Sequence, residues 1–290
     1  MLQFIRHFEQ QLSRIYTLRE AKNIALLVAE ALTGKGRVDF YLQPDIDLTF
    51  EQQAKSELYL RALLDNQPVQ YVLGEAHFLD MILNVTSDVL IPRPETEELV
   101  LLVANDFKQK QFLNPRLLDI GTGSGCIALG LSKLLPQAQV FARDISQPAL
   151  EIAKGNAQKY DLEIAWMEAD ILNFEEHEQL PHQLDAIVSN PPYITHREIQ
   201  QMTKQVVDYE PHLALFVPDN EPLLFYRAIA TFAQKALQPN GSIFFEIHEN
   251  YAQEVSNLIN QSGFVHVRVY PDMSGRQRML SAKMPDTLRH

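Results

Sequence analysis

The sequence predicts an α/β protein that is built on a parallel sheet and preceded by a small helical bundle. From about residue 95 onward, strand-like apolar runs alternate with amphipathic helical stretches, which is typical of a parallel sheet with helices on both faces. Before about residue 75, apolar residues instead recur at spacings of three and four, the period of helices. A chain of 290 residues is long enough for two domains of this kind.

The amino-terminal region carries helix signals at two levels. Capping-box patterns pair Thr17 with Glu20 and Thr49 with Gln52, so that each side chain can bond the other's backbone N–H. The apolar repeats that predict buried helix faces are Ala21, Ile24, Ala25, Val28 and Leu32, followed by Ala54, Leu58 and Ala62. We therefore predict an all-helical domain over residues 1–74.

The next segment predicts a connector. Pro68 and Gly74 interrupt the helical pattern, and "FLDMILNVTSDVLI" resembles a pair of short strands. We assign residues 75–93 to a β-hairpin linker and residues 94–290 to the second domain. The strand candidates there are "RLLDI", "AQVFARD", "EIAWMEA", "LDAIVS" and "SIFFEI".

Composition excludes several classes of protein. The formal net charge of −12 disfavours broad contact with nucleic-acid backbones, so we predict no stable nucleic-acid partner. No apolar stretch approaches the roughly 20 residues of a membrane helix, and "MLQFIRHFEQ" lacks the order of a secretory signal. We predict no membrane partner and a cytoplasmic location. With Cys126 as the only cysteine and no metal-ligand spacing among the nine histidines, we predict no bound metal.

A glycine-rich turn follows the first strand of the second domain, in "DIGTGSGCIALGL". Its glycines, at 121, 123 and 125, let the backbone turn tightly and approach a ligand closely. Asp144 ends the next strand, where a carboxylate can bond ribose hydroxyls. The spacing is not the dinucleotide G-x-G-x-x-G, and Asp119 would lie poorly beside a pyrophosphate. Together these residues favour the cationic cofactor S-adenosylmethionine over NAD.

The stretch "LDAIVSNPPY" places Asn190 at the end of another predicted strand. Pro191 and Pro192 fix the backbone there and end the strand ladder. An asparagine offers one acceptor and two donors, and the carbonyls beside it accept. With Tyr193 packing on its face, a planar group bearing NH₂ could be held at this point. The pattern predicts a site for an amine or amide nitrogen.

The combination of "DIGTGSG", "ARDIS", "EAD" and "IVSNPPYI" resembles the class I S-adenosylmethionine-dependent methyltransferases that modify exocyclic or amide nitrogens. "LIPRPETEELV" narrows the resemblance to the HemK-type enzymes that methylate a glutamine of peptide chain release factors. The likeness spans nearly the whole chain. It implies a Rossmann-like domain with a mostly parallel seven-stranded sheet, a helical amino-terminal domain that recognises the substrate, and methylation of the glutamine amide in the G-G-Q motif.

The resemblance also implies roles for individual residues. Asn190 would accept an amide hydrogen through its side-chain oxygen and Pro191 through its carbonyl, next to Pro192, with Tyr193 on the amide plane. The residues implied for the cofactor are Asp119, Gly121, Thr122, Gly123, Ser124, Gly125, Asp144, Asp170, Ile171 and Asn190. Arg143 stands before Asp144 where the family usually has a small or apolar residue.

Other interpretations stay open. N-P-P-Y is shared with adenine-N6 and guanine-N2 nucleic-acid methyltransferases, which makes such an enzyme the main alternative. A noncatalytic cofactor-binding protein is a third possibility, which the intact Asn190 and Tyr193 disfavour. The charged cluster of Arg93, Glu95 and Glu97 either contacts substrate or favours the start of the following helix through its acidic first turn.

Overall fold

The computed structural model describes residues 1–43, 46–176 and 181–286. The chain divides into two compact units. The first contains Met1–Glu75 together with Thr203–Tyr209, and the second contains Ala76–Met202 and the chain from Glu210 onward. The sequence pattern gives no sign that a short segment after N-P-P-Y belongs to the first unit.

The first unit is helical, as predicted. Its helices before residue 75 are α1 (Leu2–Leu12), α2 (Leu18–Thr33), α3 (Arg37–Leu42), α4 (Phe50–Leu64) and α5 (Val69–Leu73). The face of α2 that was predicted from the apolar repeat is buried throughout. Two tyrosines bond within this unit: the Tyr16 hydroxyl accepts from Gln205 Nε2 at 2.9 Å, and the Tyr209 hydroxyl donates to the Asp65 carbonyl at 2.6 Å.

The predicted buried face of α4 is wrong, although the helix exists. Ala54 and Leu58 are exposed, Leu58 at 63% of its surface, and Ala62 is only half-buried. The inward face runs instead through Ser56, Tyr59, Leu60 and Leu63. Ser56 tolerates burial because its hydroxyl donates to the Gln53 carbonyl at 2.7 Å. Because Ser56 is polar, its burial cannot be predicted from the spacing of apolar residues.

The two predicted capping boxes differ in the structure. Thr49 accepts from the Gln52 N–H at 3.2 Å, and Gln52 accepts from the Thr49 N–H at 2.9 Å, so this box is complete. The Thr17 hydroxyl accepts from the Glu20 N–H at 3.3 Å, but the Glu20 carboxylate does not accept from the Thr17 N–H. The prediction is confirmed at Thr49 and half confirmed at Thr17.

The second unit begins with a two-stranded sheet, β1 (Glu75–Phe78) with β2 (Met81–Asn84). The elements of the main layer then follow in chain order: α6 (Pro94–Gln109), β3 (Arg116–Ile120), α7 (Cys126–Leu134), β4 (Gln139–Asp144), α8 (Gln147–Lys159), β5 (Ile164–Glu168) and β6 (Leu184–Ser189). The next element in the chain, after β7 (Ile194–Thr195), is α9 (Lys204–Tyr209), which belongs to the first unit. The remaining elements of the second unit are α10 (His212–Leu215), β8 (Phe216–Val217), α11 (Leu224–Ala236), β9 (Leu237–Glu246), α12 (Ala252–Gln261), β10 (Val265–Pro271) and β11 (Gln277–Lys283).

The main sheet has seven strands in the order β10-β11-β9-β6-β3-β4-β5. The pairs from β9 to β5 are parallel, and β11 and β10 add to β9 in antiparallel fashion. All five strands predicted from the residue pattern are present, and the fold class is confirmed. The two antiparallel edge strands had no residue-level prediction. Their outer strand β10 is mostly exposed and its register shifts twice, so its apolar alternation is weak.

Apolar clusters cover both faces of this sheet. On one face, α11 and α12 pack against strand residues that include Ile187, Ile243 and Phe245. On the other, α6 and α7 pack together with Phe78 and Leu83 of the hairpin. A sheet covered on both faces in this way has its strand ends as the accessible edges, and ligands of open α/β sheets bind at the carboxyl ends.

Asn156 of α8 fastens the hairpin to the glycine-rich turn. Its side chain is fully buried; Oδ1 accepts from the Asn84 N–H at 2.7 Å, and Nδ2 donates to the Asn84 carbonyl at 3.0 Å and the Ser124 carbonyl at 2.9 Å. One amide thus satisfies three backbone groups from two segments.

We expect Asn156→Ala to lower the free energy of unfolding by about 2–3 kcal/mol, because it leaves three backbone groups without their partner and opens a cavity. Denaturant unfolding measures this. Asn260→Ala is the control, since Asn260 is exposed and its one amide bond goes to the Ser256 carbonyl of its own helix. A loss at Asn156 no larger than the loss at Asn260 would contradict the fastening role.

Candidate active site

Three parallel strands end side by side at the site. β3 lies between β4 and β6, and the registers pair Ile120 with Arg143 and with Ser189. The Ser189 hydroxyl also donates to the Ile120 carbonyl at 2.6 Å, which ties the ends of β3 and β6 together. The segments that follow these strands therefore start from neighbouring points on one edge of the sheet.

The turn after β3 is held by hydrogen bonds to the end of β4. The N–H groups of Gly121 and Thr122 donate to the Arg143 carbonyl at 2.9 and 3.0 Å. Gly123 has φ of +54°, and its N–H donates to Asp144 Oδ2 at 2.8 Å. Gly125 has φ of +84°, and a Cβ there would stand 2.8 Å from Leu129 Cδ1. The turn requires glycine for its backbone conformation and for its contact with α7.

The Asp144 carboxylate organises two turns at once. Its Oδ2 accepts from the Gly123 N–H, and its Oδ1 accepts from the Ser146 N–H at 2.9 Å, just before α8. Burial raises the pKa of Asp144, and these backbone bonds oppose the rise. Each oxygen keeps a further lone pair for a ligand, because a carboxylate has about four acceptor positions.

Asp119 lies behind the turn, fully buried at the end of β3. Its Oδ2 accepts from the Thr122 hydroxyl at 2.6 Å and from the Ala128 N–H at 3.2 Å. Its Oδ1 is buried and has no hydrogen-bond partner among the described residues. Burial raises the pKa of Asp119 to about 7. A buried carboxylate oxygen without a partner is costly unless a cation or donor arrives from outside the chain.

A cavity of about 200 Å³ opens at this edge. Its lining joins the turn after β3, the ends of β4 and β6, the segment after β5, residues 88–90 and residues 211–214. The predicted site residues that line it are Gly121, Gly123, Asp144, Asp170, Ile171, Asn190, Pro191 and Pro192. These eight residues come from four separate stretches of sequence, and the fold brings them to one cavity.

Five other predicted site residues are absent from the cavity wall. They are Asp119, Thr122, Ser124, Gly125 and Tyr193. Thr122 and Ser124 are buried, and the Ser124 hydroxyl has no partner among the described residues. The Tyr193 ring is tilted edge-on to His248, with centroids 5.8 Å apart. These five residues do not line the cavity, whereas its apolar wall includes Leu90, Phe225 and Ile229, to which the sequence analysis assigned no role.

Arg143 also reaches the cavity wall. It is fully buried, its guanidinium carbon lies 5.5 Å from the centre of the Phe232 ring, and none of its three guanidinium nitrogens has a partner among the described residues. Burial lowers the pKa of Arg143 to about 10, and the nearby Asp170 charge opposes the fall. The guanidinium remains charged at neutral pH, so it adds a positive charge to a wall that also carries Asp88, Asp144 and Asp170.

Asn190 is anchored from behind through its amide nitrogen. Nδ2 donates to the Thr96 hydroxyl oxygen at 3.2 Å, and the Thr96 hydroxyl donates to Glu246 Oε2 at 2.7 Å. The Tyr193 hydroxyl donates to Glu246 Oε1 at 3.0 Å. Burial raises the pKa of Glu246, and the bonds from Thr96 and Tyr193 oppose the rise. Sequence analysis assigned no role to Thr96 or Glu246, although both lie within quoted segments, because only the folded chain brings them next to Asn190.

The charged cluster before α6 has structural partners. Arg93 pairs with Glu210, whose carboxylate is buried and also accepts from the Ile91 N–H at 3.4 Å. Glu97 accepts from the Leu79 N–H at 2.7 Å, in the hairpin turn. These contacts join the start of α6 to the hairpin turn and to Glu210, which directly precedes residues 211–214.

The residues at the cavity fit S-adenosylmethionine, the cofactor that the sequence resemblance implies. A Cβ at Gly121 or Gly123 would meet no atom within 4 Å, so the turn is open on its ligand side. The carboxylates of Asp144 and Asp170 on the cavity wall suit a ligand with cationic groups and hydroxyls. Among the described residues, no group of three or more His, Cys, Asp or Glu side chains is arranged to hold a metal ion.

Family models match both parts of the chain. The model described as "PrmC N-terminal domain" matches residues 3–74, and "Methyltransferase small domain" matches residues 100–210. A solved 16S rRNA N2 G1207 methyltransferase of Thermus thermophilus, in complex with AdoMet and guanosine, has a TM-score of 0.51 and 16% identity, covering 72% of this chain and 49% of its own. At that identity it shows a shared fold.

Whole-chain relatives are more specific. The chain is 41% identical to a release factor glutamine methyltransferase of Flavobacterium psychrophilum, covering 94% of this chain and 95% of the relative. It is 41% identical to the enzyme with the same description from Bacteroides thetaiotaomicron, covering 95% and 97%. With the glycine turn, Asp144 and Asn190 meeting at one cavity, this likeness over the full length shows that the chain belongs to the release factor glutamine methyltransferase family.

Proposed function

We propose that this protein transfers a methyl group from S-adenosylmethionine to the side-chain amide nitrogen of the glutamine in the G-G-Q motif of peptide chain release factors. One observation carries the choice of nitrogen as the target. Asn190 lines the same cavity as the glycine turn and Asp144, and its Oδ1 accepts no hydrogen bond from the described residues. An acceptor left open on the cavity wall suits the N–H groups of a substrate amide.

Cofactor binding is assigned to the turn and its carboxylates. Gly121 and Gly123 give the backbone a close approach, Asp144 holds the ribose hydroxyls, Asp170 and Ile171 border the adenine, and Asp119 offsets positive charge. Thr122, Ser124 and Gly125 keep the turn in shape. S-adenosylmethionine supplies a methyl group bonded to a positively charged sulfur, which makes that carbon an electrophile.

Catalysis by the chain is positioning and electrostatic stabilisation. An amide nitrogen is a poor nucleophile because its lone pair is delocalised into the carbonyl. Asn190 Oδ1 and the Pro191 carbonyl would accept its two hydrogens and so position the nitrogen for methyl transfer. These two acceptors bind more strongly as the nitrogen becomes positive, which lowers the barrier. Methyl transfer would break the bond between the methyl carbon and the cofactor's sulfur as the N–C bond forms, and one of the two amide hydrogens would leave as a proton to solvent water.

The acidic balance of the chain supports a protein substrate rather than nucleic acid, since phosphate backbones are bound by clustered cations. None of the described helices is long and apolar enough to span a membrane. We place the enzyme in the cytoplasm, with the translation machinery that its substrate serves, and assign it no membrane partner.

The amino-terminal unit, which corresponds to the predicted domain 1–74, is proposed to bind the release factor. The tripeptide G-G-Q offers little contact area by itself. Helix α3 is anchored by the fully buried Phe40, while Val38, Tyr41 and Leu42 are 68%, 62% and 74% exposed. Three large apolar side chains exposed on a six-residue helix suit a protein interface, where aromatic residues are enriched.

The decisive experiment measures label transfer from S-adenosylmethionine to purified release factor, its Gln→Ala form, bulk RNA and duplex DNA. We expect label in the release factor only, and none in the Gln→Ala form. Asn190→Ala should lower turnover about 100-fold or more, because it removes an acceptor that acts in the transition state, while the cofactor dissociation constant changes little.

Label in RNA or DNA would contradict the proposed function and show that the protein methylates nucleic acid instead. Cofactor binding without transfer to any of the four acceptors would replace it by a noncatalytic role. An equal loss of turnover and cofactor affinity in Asn190→Ala would remove Asn190 from substrate binding.

A second prediction concerns Asp119. Since its folded pKa of about 7 lies above the ordinary 3.8, the unfolded chain ionises first as pH rises. This group's contribution to stability is therefore full below about pH 4 and is lost by about pH 7. Asp119→Asn keeps an acceptor for Thr122 and Ala128 and cannot ionise. Between pH 5 and pH 8 we expect the variant to gain about 2–3 kcal/mol relative to the wild type, both free of cofactor.

Chemical unfolding at the two pH values measures this difference. Glu163→Gln is the control, because Glu163 is exposed and should give no pH-dependent gain. A constant difference between Asp119→Asn and the wild type from pH 5 to pH 8 would contradict a protonated Asp119 in the cofactor-free protein.

The surface of α3 gives a third prediction. Tyr41→Asp should raise the Michaelis constant for the release factor about 5- to 30-fold, the cost of removing an aromatic interface residue, and leave the cofactor dissociation constant unchanged. Steady-state kinetics with release factor as the varied substrate measures the first quantity.

The control for α3 is Leu113→Asp, an equally drastic change at a residue of the second unit that is 78% exposed. It should leave both constants near wild type. Equal Michaelis constants for Tyr41→Asp and wild type would contradict substrate binding through α3.

A further inference from the structure

Glu246 is a buried carboxylate that the proposed chemistry does not use. It ends β9, has 2% of its surface exposed, and accepts hydrogen bonds from the Thr96 and Tyr193 hydroxyls, one at each oxygen. Thr96 is equally buried at 2%. Burying a carboxylate is costly, so two hydroxyl donors aimed at it are a specific arrangement.

The directions of the hydrogen bonds that link Glu246, Thr96 and Asn190 follow from which of these groups can donate. When Glu246 is ionised, its carboxylate only accepts, so the Thr96 hydroxyl gives its single hydrogen to Glu246 Oε2. With that hydrogen committed, Thr96 Oγ1 can only accept from its other neighbour, Asn190. The side of the Asn190 amide that faces Thr96 must then be the NH₂ group, which is the observed arrangement, with Nδ2 at 3.2 Å.

We infer that Glu246, acting through Thr96, sets the orientation of the Asn190 amide so that Oδ1, and not the NH₂ group, faces the substrate. Thr96 and Glu246 are positioning residues in this inference, since neither lines the cavity. The inference rests on the proposed function and deepens it. It makes Glu246 and Thr96 responsible for the preference of the site for an amide over a carboxylate.

The selection follows from the polarity of the wall. With Oδ1 outward, Asn190 accepts from a glutamine amide and repels a glutamate carboxylate, whose oxygens only accept. With the amide turned over, the NH₂ group would face the amide hydrogens of glutamine and would instead suit a carboxylate. Because the Thr96 hydroxyl donates to Glu246, it can only accept from Asn190. The resulting orientation of Asn190 therefore excludes a carboxylate from the position of the reacting amide.

The experiment compares Thr96→Val, which removes the hydroxyl at nearly constant shape, with Thr96→Ser, which keeps it. The measurements are kcat with release factor, the cofactor dissociation constant, and the ratio of dissociation constants for release factors carrying G-G-Q and G-G-E. For Thr96→Val we expect kcat about 10- to 100-fold lower, a cofactor constant within about threefold of wild type, and a G-G-Q preference that shrinks at least about fivefold. Thr96→Ser should restore all three values.

The chain offers a matched control in Thr195. It is also 2% exposed, and its hydroxyl also donates to a glutamate, Glu198 Oε2, at 2.6 Å, with no contact to Asn190. Thr195→Val should lower the thermal midpoint about as much as Thr96→Val and leave the G-G-Q preference unchanged. The control separates loss of a buried hydroxyl in general from loss of the bond that orients Asn190.

The outcomes separate the inference from the function on which it rests. A wild-type enzyme that fails to methylate the release factor overturns the proposed function. A wild-type enzyme that methylates it, with a G-G-Q preference unchanged in Thr96→Val, overturns the inference alone. If Thr96→Val does not fold, Thr96→Ala removes the same hydroxyl with less bulk, and the same two results decide.

Discussion

The site depends on the parallel hydrogen bonding of β3 with β4 on one side and β6 on the other. Because parallel strands end at the same edge, this pairing sets the glycine turn beside Asp144 and beside Asn190. The three segments are far apart in sequence and have no other reason to meet. The Ser189 bond to Ile120 and the Asp144 bond to Gly123 then fix the strand ends at hydrogen-bonding distance.

Buried carboxylates do most of the organising at this edge. Asp144 joins two turns, Glu210 pairs with Arg93 near residues 211–214, and Glu246 collects two hydroxyls behind Asn190. Each is satisfied by donors of the chain itself. Asp119 differs, since one of its oxygens has no partner among the described residues. Asp119 is thus the one of these four carboxylates whose bonding the chain leaves incomplete, whereas Asp144 is the one that lines the cavity and keeps acceptor positions for a ligand.

The two halves of the cavity solve different physical problems. The glycines of the turn have no side chains, so the backbone can approach a large cofactor. The carboxyl end of β4 holds the conformation of this turn. The Asn190 side presents one side chain that must be held in a particular orientation. A turn can be specified by three glycines in a row of five residues. An amide orientation needs partners behind it, and these come from α6 and β9.

The sequence by itself determined the elements whose signals are local. Glycine spacing, the strand-ending Asp144 and Asn190 and the Thr49 cap depend on neighbours within a few residues, and the structure shows each of these features. Tertiary structure decided the rest. The buried face of α4 includes Ser56, whose hydroxyl is hydrogen-bonded to the Gln53 carbonyl. A search for apolar repeats does not detect such a residue. Thr96 and Glu246 are 150 residues apart, so their bond has no local signature. The sequence thus named most of the polar groups that line the cavity, whereas the hydrogen bonds behind Asn190 exist only after the chain has folded.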